Sequence, residues 1–270
     1  MANELALITG ASSGIGEAFA RQLAERGYDL CITARRGDQL SALAAELREK
    51  HQVNVNIIVA DLATDEGMDN VITWIKDTPA LTMLINNAGF GTRGMFVHKP
   101  AEVYAAMVSV HVMASMRLTS AALPAMIKSR RGAIINVSSL TAYMPLGGNA
   151  VYSGTKSFLN AFTEALAFEV KGTGVKVQLL APGFTYSDFH KRPEYSNVDT
   201  YSSVPKFMWM NADDVARISL RALEKNKTVC IPGTLNKLIA FAGKSGLAAL
   251  GSAVMIRRYK KAKVRTTEKP

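Results

Sequence analysis

The sequence predicts an α/β fold, a doubly wound parallel sheet between two layers of helices, in a single domain. Short apolar runs with strand character alternate with segments of helical periodicity from the N-terminus onward. Repeated β-α units of this kind imply a parallel sheet that is covered on both faces. The chain has 270 residues, of which 48% are hydrophobic and 20% charged, so we expect a large core.

The first β-α unit contains a glycine-rich turn. Residues 5–8 form an apolar strand pattern, and residues 9–16 follow with the spacing G-x-x-x-G-x-G, directly before a helical pattern. Glycines allow a tight turn and the close approach of a ligand, while a helix N-terminus attracts phosphate. This order predicts a dinucleotide site of the Rossmann type, although the spacing differs from the commoner G-x-G-x-x-G.

The second predicted strand, residues 30–34, ends where a dinucleotide fold selects its ribose. Arg35 and Arg36 come next, and no carboxylate stands at the strand end. Guanidinium groups suit a 2′-phosphate, so the sequence favours NADP (as NADPH) over NAD. Asp38 is close enough to keep NAD open as the alternative.

The alternation of strands and helices continues along the chain. The pattern predicts helices at residues 40–47, 68–75, 101–126 and from an N-cap at Asn211, and strands at 55–59, 83–85, 133–137, 175–180 and 228–231. Asp61 and Leu62 end one strand, and residues 86–89 end the next. Ligands of open parallel sheets lie at this edge, although Asn and Gly are also ordinary turn residues.

Tyr152 and Lys156 stand four residues apart at the start of a predicted helix, so they share one face. An ammonium group beside a phenol favours the phenolate. At ~4 Å and an effective dielectric constant of ~20 the attraction is about 4 kcal/mol before desolvation is subtracted. The spacing therefore predicts a tyrosine with a lowered pKa, whereas a solvated helix face is the alternative for an isolated pair.

Taken in order, these motifs resemble the short-chain dehydrogenase/reductase family over nearly the whole chain. They are Thr9-Gly10-x-x-x-Gly14-x-Gly16, Asn86-Asn87-Ala88-Gly89, Ser139, Tyr152-x-x-x-Lys156 and Pro182-Gly183. The resemblance implies an oxidoreductase that interconverts a carbonyl and a secondary alcohol by hydride transfer. In it Tyr152 is the general acid/base, Lys156 binds the nicotinamide ribose and lowers the tyrosine pKa, and Ser139 holds the carbonyl oxygen.

The resemblance also implies a cofactor-binding set, and we expect no metal site. The pyrophosphate is assigned to Gly10, Ser12, Ser13, Gly14, Ile15 and Gly16, the 2′-phosphate to Arg35 and Arg36, the adenine to Asp61 and Leu62, the ribose to Asn87, Ala88 and Gly89, and the nicotinamide amide to Pro182, Gly183 and Thr185. Members of the family assemble through their long helices, so the resemblance suggests a homodimer or homotetramer.

His111 departs from the family pattern. It lies 41 residues before Tyr152, where the family has an asparagine that supports a proton-relay water. Imidazole donates or accepts hydrogen bonds, so His111 is a candidate relay residue whose titration near pH 6.5 would add a pH dependence. The alternative is a packed helix residue and a weakened relay.

Residues 184–210 are rich in aromatic residues and methionine and interrupt the regular pattern. A long irregular segment of this kind is typical of a substrate loop, and its composition predicts an apolar substrate. We therefore expect a dinucleotide-binding and catalytic domain over residues 1–234 and an extension over 235–270.

The extension is apolar and then basic. Two apolar runs, 238–243 and 247–256, precede a cluster that supplies much of the net charge of +10, namely Arg257, Arg258, Lys260, Lys261 and Lys263. One interpretation is an interfacial helix on an anionic membrane. The other, which the sequence favours, is a cover for the cavity or a subunit interface with a solvated basic tail.

Composition limits the other classes of function. No zinc-finger spacing or aromatic RNA-binding signature is found, so nucleic acid is not the expected partner of the basic residues. Cys31 and Cys230 stand in apolar runs and no secretory signal begins the chain, so we expect a cytoplasmic protein, with peripheral membrane contact as an alternative. Two further functions stay open: a cofactor-binding sensor that has lost turnover, and a membrane-surface reductase of lipid-like or acyl substrates.

Overall fold

The computed structural model describes residues 4–92, 94–145, 147–191 and 204–244. Within this part of the chain, seven strands form one parallel sheet in the order β3-β2-β1-β4-β5-β6-β9, and β7 pairs with β8 separately. The strands are β1 (Leu5–Thr9), β2 (Asp29–Ala34), β3 (Val55–Val59), β4 (Leu81–Asn86), β5 (Gly132–Val137), β6 (Val175–Leu180), β7 (Thr185–Tyr186), β8 (Met210–Asn211) and β9 (Val229–Cys230).

Helices cover both faces of the sheet, because alternate strand residues point to opposite sides and both sides are apolar. Ile8 packs in a cluster with α1, α2 and α7, whereas its neighbour Leu7 packs in a cluster with α3 and α5. The helices are α1 (Gly14–Glu25), α2 (Gly37–His51), α3 (Asp65–Lys76), α4 (Ala101–Val108), α5 (Ala114–Ser129), α6 (Ala150–Glu169), α7 (Ala212–Glu224) and α8 (Thr234–Lys244). The predicted doubly wound, single-domain α/β fold is confirmed.

Two predicted local features differ from the structure. The helix expected over 101–126 is α4 and α5 joined by a π-helical turn, Ser109–Met113, which contains His111. Asn211 is the N-cap residue of α7, but its side chain makes no capping hydrogen bond. A π turn inserts one residue into the helical ladder, a change that hydrophobic periodicity does not detect.

The run Ala101–Ser129 is long and apolar enough to cross a bilayer by length and composition, the one such helix in the part of the chain that is described. Leu118 and Met126 of this run are buried against Leu84 and Ile134 of the sheet. The run is therefore part of the core of the fold.

Residue 234, where we expect the catalytic domain to end, is the first residue of α8. This helix packs on the domain, with Asn236 and Ala240 almost fully buried. The rest of the expected extension, residues 245–270, lies outside the described residues, as do residues 192–203 of the substrate loop. The ends of that loop are held together, because Thr185 pairs with Met210 and Tyr186 with Asn211.

Candidate active site

The glycine turn between β1 and α1 lies at the carboxyl edge of the sheet. Gly10 has a φ of +67° and Gly14 a φ of +61°, a region that residues with a Cβ rarely adopt. A Cβ at Gly10 would lie 2.8 Å from Cα of Ala88, and a Cβ at Gly16 would clash with the carbonyl oxygen of Gly10. Two glycines therefore shape the turn, and Gly16 allows α1 to pack against it.

Asn87 holds the glycine turn from the neighbouring strand end. Its Nδ2 donates to the carbonyl oxygens of Thr9 and Gly10 at 2.9 and 3.2 Å. The hydroxyl of Thr9 accepts hydrogen bonds from the backbone N–H groups of Asn87 and Ala88, each at 2.9 Å. The ends of β1 and β4 therefore form one rigid unit beneath the turn.

Arg36 lies beside the turn, where its guanidinium group contacts two hydroxyls. Its Nη2 donates to Oγ of Ser12 at 2.9 Å and to Oγ of Ser13 at 2.7 Å. Its Nη1 lies 3.6 Å from the carboxylate of Asp188. Arg35 is more exposed, at 60% of its side chain, and lies 3.8 Å from Asp61. Both cations stand at the end of β2, where the sequence places a 2′-phosphate.

Ser139, Tyr152 and Lys156 meet at the opposite end of the same edge. Ser139 follows β5, and its Oγ accepts hydrogen bonds from the N–H and the hydroxyl of Thr141 at 3.2 and 3.1 Å. Because these bonds use its lone pairs, its own proton is directed to another acceptor. Tyr152 and Lys156 extend from the first turns of α6, and Nζ of Lys156 donates to the carbonyl of Val137 at 2.8 Å.

Burial is the main cause of the pKa shifts of Tyr152 and Lys156. It raises the pKa of Tyr152 to about 12, and a hydrogen bond with Ser139 offsets part of the rise. Burial also lowers the pKa of Lys156 to about 7. The expectation that Lys156 lowers the pKa of Tyr152 is therefore wrong for the protein alone. Nζ lies 5.8 Å from the centroid of the phenol ring, and desolvation opposes both charged forms.

His111 is fully buried behind the tyrosine and does not line the cavity. Its Nε2 accepts the backbone N–H of Phe90 at 3.0 Å, and its Nδ1 lies 2.9 Å from the hydroxyl of Thr155. That hydroxyl donates to the carbonyl of Tyr152, so Nδ1 is the protonated nitrogen. The imidazole ring meets Tyr152 edge-on, with centroids 5.6 Å apart. This geometry favours a packed, positioning residue over the predicted relay.

A cavity of about 680 Å³ runs along this edge of the sheet. Every predicted site residue except Gly16 and His111 lines it. These residues are Gly10, Ser12, Ser13, Gly14, Ile15, Arg35, Arg36, Asp61, Leu62, Asn87, Ala88, Gly89, Ser139, Tyr152, Lys156, Pro182, Gly183 and Thr185.

The cavity also has an apolar part that sequence reasoning largely missed. Its lining includes Phe90, Ala106, Val110, Leu140, Met144 and Ile239, besides Phe184, Phe189 and Met208 of the predicted substrate loop. Phe90 directly follows a strand-end motif, so its position was a usable signal. Ile239 belongs to α8, and nothing in its local sequence distinguishes it from a core residue.

The glycine turn fits a dinucleotide. Ser13 is the N-cap residue of α1 but makes no side-chain capping bond, and the first residues of the helix, Gly14 and Ile15, face the cavity. Uncapped N–H groups at a helix N-terminus bind phosphate oxygens. A Cβ at Gly89 would lie 2.9 Å from Nε2 of His111, so a larger residue at this point of the cavity lining would displace the imidazole.

A glycine turn and a cavity at the carboxyl edge of a parallel sheet are the features of a dinucleotide-binding protein, and comparisons with known proteins give its class. The family described as short chain dehydrogenase matches residues 4–196. A 3-oxoacyl-[acyl-carrier-protein] reductase of Bos taurus is 32% identical over 223 residues, covering 82% of this chain and 92% of that protein. A very-long-chain 3-oxoacyl-CoA reductase of Coprinopsis cinerea is 35% identical over 193 residues, 69% of this chain, which span 56% of that reductase's length.

Among solved structures, a short-chain dehydrogenase from Sphingobium yanoikuyae in complex with NADPH superimposes with a TM-score of 0.81. It is 31% identical, and the match covers 93% of this chain and 95% of that one. The chain belongs to the short-chain dehydrogenase family. It is thereby placed among oxidoreductases that act on CH–OH and C=O groups and bind NAD(P).

Proposed function

We propose that the protein is an NADP-dependent oxidoreductase that interconverts a carbonyl and a secondary alcohol of an apolar substrate, with Tyr152 as the acid/base. The observation that carries the proposal is the convergence of the Ser139 and Tyr152 hydroxyls at one wall of a cavity whose other end is lined by Arg35 and Arg36. When bound, the nicotinamide supplies or accepts the hydride.

The state of Tyr152 suits the reduction direction. With its pKa raised to about 12, the phenol keeps its proton at neutral pH. It can therefore donate that proton to a carbonyl oxygen as the carbon is reduced. Ser139, oriented by Thr141, is placed to donate a second hydrogen bond to the same oxygen and to stabilise the charge that develops there.

NADP is favoured over NAD because two guanidinium groups stand at the end of β2. Arg36 is already oriented by Ser12 and Ser13 of the glycine turn. A planar guanidinium binds phosphate in a bidentate manner and is always charged. The NADPH complex of the Sphingobium yanoikuyae dehydrogenase supports this preference.

The apolar part of the cavity indicates the substrate class. Apolar side chains from several segments converge beyond Tyr152, and Phe189 packs against its ring with centroids 5.9 Å apart. Such a wall binds an aliphatic or aromatic body by removing it from water. The names of two relatives, both 3-oxoacyl reductases, support an acyl chain as that body.

The proposal is tested by following absorbance of the reduced nicotinamide with purified protein and a panel of ketones, aldehydes and 3-oxoacyl thioesters of increasing chain length. We expect NADPH to be consumed faster than NADH, and turnover to improve with chain length. Binding of NADPH without turnover of any substrate on the panel would favour the cofactor-binding sensor. Assembly as a homodimer or homotetramer stays a prediction, which light scattering after gel filtration checks.

A further inference from the structure

One face of α8 is built to pack on the domain. Asn236 and Ala240 are buried, and a Cβ at Gly183 would lie 2.6 Å from the side-chain oxygen of Asn236. Farther along the helix, a Cβ at Gly243 would clash with the carbonyl oxygen of Tyr143. Small or polar residues at four- and three-residue intervals therefore hold α8 against the loops that follow β5 and β6.

The opposite face of α8 is apolar and exposed. Leu235, Leu238 and Phe241 recur at the three-residue interval of a helical stripe, and their exposed fractions are 38%, 62% and 75%. The stripe is not needed for the packing of α8, because that packing uses the other face. An apolar stripe on a short helix is a contact surface.

This exposed stripe adjoins the substrate end of the cavity. Ile239 lines the cavity from α8, and Met208 lines it from the segment before β8. The residue next to Met208, Phe207, is 77% exposed. The two segments are neighbours, because the Nδ2 of Asn236 lies 3.8 Å from the sulfur of Met210. α8 therefore places Ile239 in the cavity, and the segment before β8 places Met208 there. Both segments also expose apolar side chains to solvent nearby.

The charge of the sequence from α8 onward favours an anionic partner. From Thr234 to the C-terminus the sequence contains nine Lys or Arg residues and one Glu. Lys237 lies within α8 itself, and α8 contains no acidic residue. A second copy of the chain docked through this face would bring two copies of Lys237 together with no acidic residue of α8 to pair with them, which is unfavourable. An anionic lipid surface offers both an apolar interior and negative headgroups.

We propose that the exposed stripe of α8 and Phe207 dock on an anionic lipid bilayer, so that the substrate end of the cavity opens toward the membrane. One part of this inference rests on the proposed function: the apolar carbonyl substrate would reach the cavity from the bilayer. Docking itself requires no turnover and is measured separately.

The test is cosedimentation of the full chain with vesicles of phosphatidylcholine alone and of phosphatidylcholine mixed with phosphatidylglycerol, at low and high salt. We expect binding to the mixed vesicles that falls as salt rises. The double variant Leu238→Ser/Phe241→Ser should lose at least about tenfold in partitioning, because it removes the apolar contact. The control Phe168→Ser, at a side chain that is 78% exposed near the C-terminal end of α6, should bind like the wild type.

Turnover of a short, water-soluble ketone provides the second readout. Leu238 and Phe241 do not line the cavity, so we expect the double variant to turn over this ketone at the wild-type rate. If the protein lacks turnover altogether, the proposed function fails while the vesicle result still stands. Equal binding of wild type and double variant to mixed vesicles overturns the docking proposal. The docking proposal is also overturned if the wild type does not bind vesicles but self-associates, and the double variant abolishes that self-association.

Discussion

The two ends of the cavity are built in different ways. At the cofactor end, short motifs directly after β1, β2 and β4 supply the lining, and hydrogen bonds such as those of Asn87 to the glycine turn fix it. At the substrate end, the lining comes from separate segments, including α4, the loop after β6 and α8. Rigid local motifs suit a cofactor that is the same throughout a family. A substrate site assembled from distant segments can vary without disturbing the cofactor site.

Tyr152 lines the cavity opposite the cofactor end and is the proposed acid/base, so its replacement has the largest expected effect. Tyr152→Phe removes the proton donor but keeps the ring that packs between His111 and Phe189. We expect turnover to fall by about 10²–10⁴-fold while NADPH affinity is retained. Steady-state rates and NADPH fluorescence titration measure the two quantities.

Tyr104→Phe is the matched control, since its hydroxyl bonds the Phe96 carbonyl and the residue does not line the cavity. It should leave both quantities unchanged. Wild-type turnover in Tyr152→Phe would remove the acid/base assignment.

The double variant Arg35→Ala/Arg36→Ala changes the cofactor end of the cavity and leaves the substrate end intact. Hydrogen bonds to charged groups contribute about 1.5–3 kcal/mol, so NADPH affinity should fall at least about tenfold more than NADH affinity. Titration calorimetry gives both constants. Arg26→Ala, whose guanidinium pairs with Glu224, is the control. An unchanged affinity ratio in the double variant would refute the 2′-phosphate site.

The amine of Lys156 is buried and donates to the carbonyl of Val137, and its protonation should affect the stability of the fold. Because its folded-state pKa is lowered to about 7, the unfolded chain binds more protons above that pH. The free energy of unfolding without added cofactor should therefore rise between pH about 7 and about 8.5, by at most about 1.4 kcal/mol per pH unit.

Denaturant titrations at several pH values measure this slope, and Lys156→Met should remove it. The window ends near pH 8.5, where free thiols begin to ionise in the unfolded chain. Burial raises the pKa of Cys31 to about 12, so its stabilising contribution is lost as pH rises further. The same slope in wild type and variant would show that the amine is not desolvated as the structure indicates.

The contrast between the two ends also explains what the sequence could predict. The alternation of strands and helices is confirmed. Most of the predicted cofactor residues line the cavity, because they follow strands whose carboxyl ends must face the site. Ile239 was not predicted as cavity lining, because its position depends on how α8 packs against the loop that contains Gly183. The pKa shift of Tyr152 had the wrong sign, because spacing gives the distance between two charges but not their desolvation.

His111→Asn is the smallest expected change and tests a residue behind the cavity. In the structure the imidazole joins the loop after β4 to α6, through the N–H of Phe90 and the hydroxyl of Thr155. Asn also carries one acceptor and one donor, so the variant should stay active, with a rate close to that of the wild type.

The pH profile separates positioning from proton relay. If His111 only positions the loop, the profiles of wild type and His111→Asn should superimpose between pH about 5.5 and about 7.5, where an ordinary imidazole titrates. His111→Leu supplies the contrast: it leaves the part-buried N–H of Phe90 without its acceptor, which costs about 0.5–1.5 kcal/mol of stability. A profile that shifts in His111→Asn, with stability unchanged, would restore the relay role, because a purely structural bond does not move a kinetic pKa.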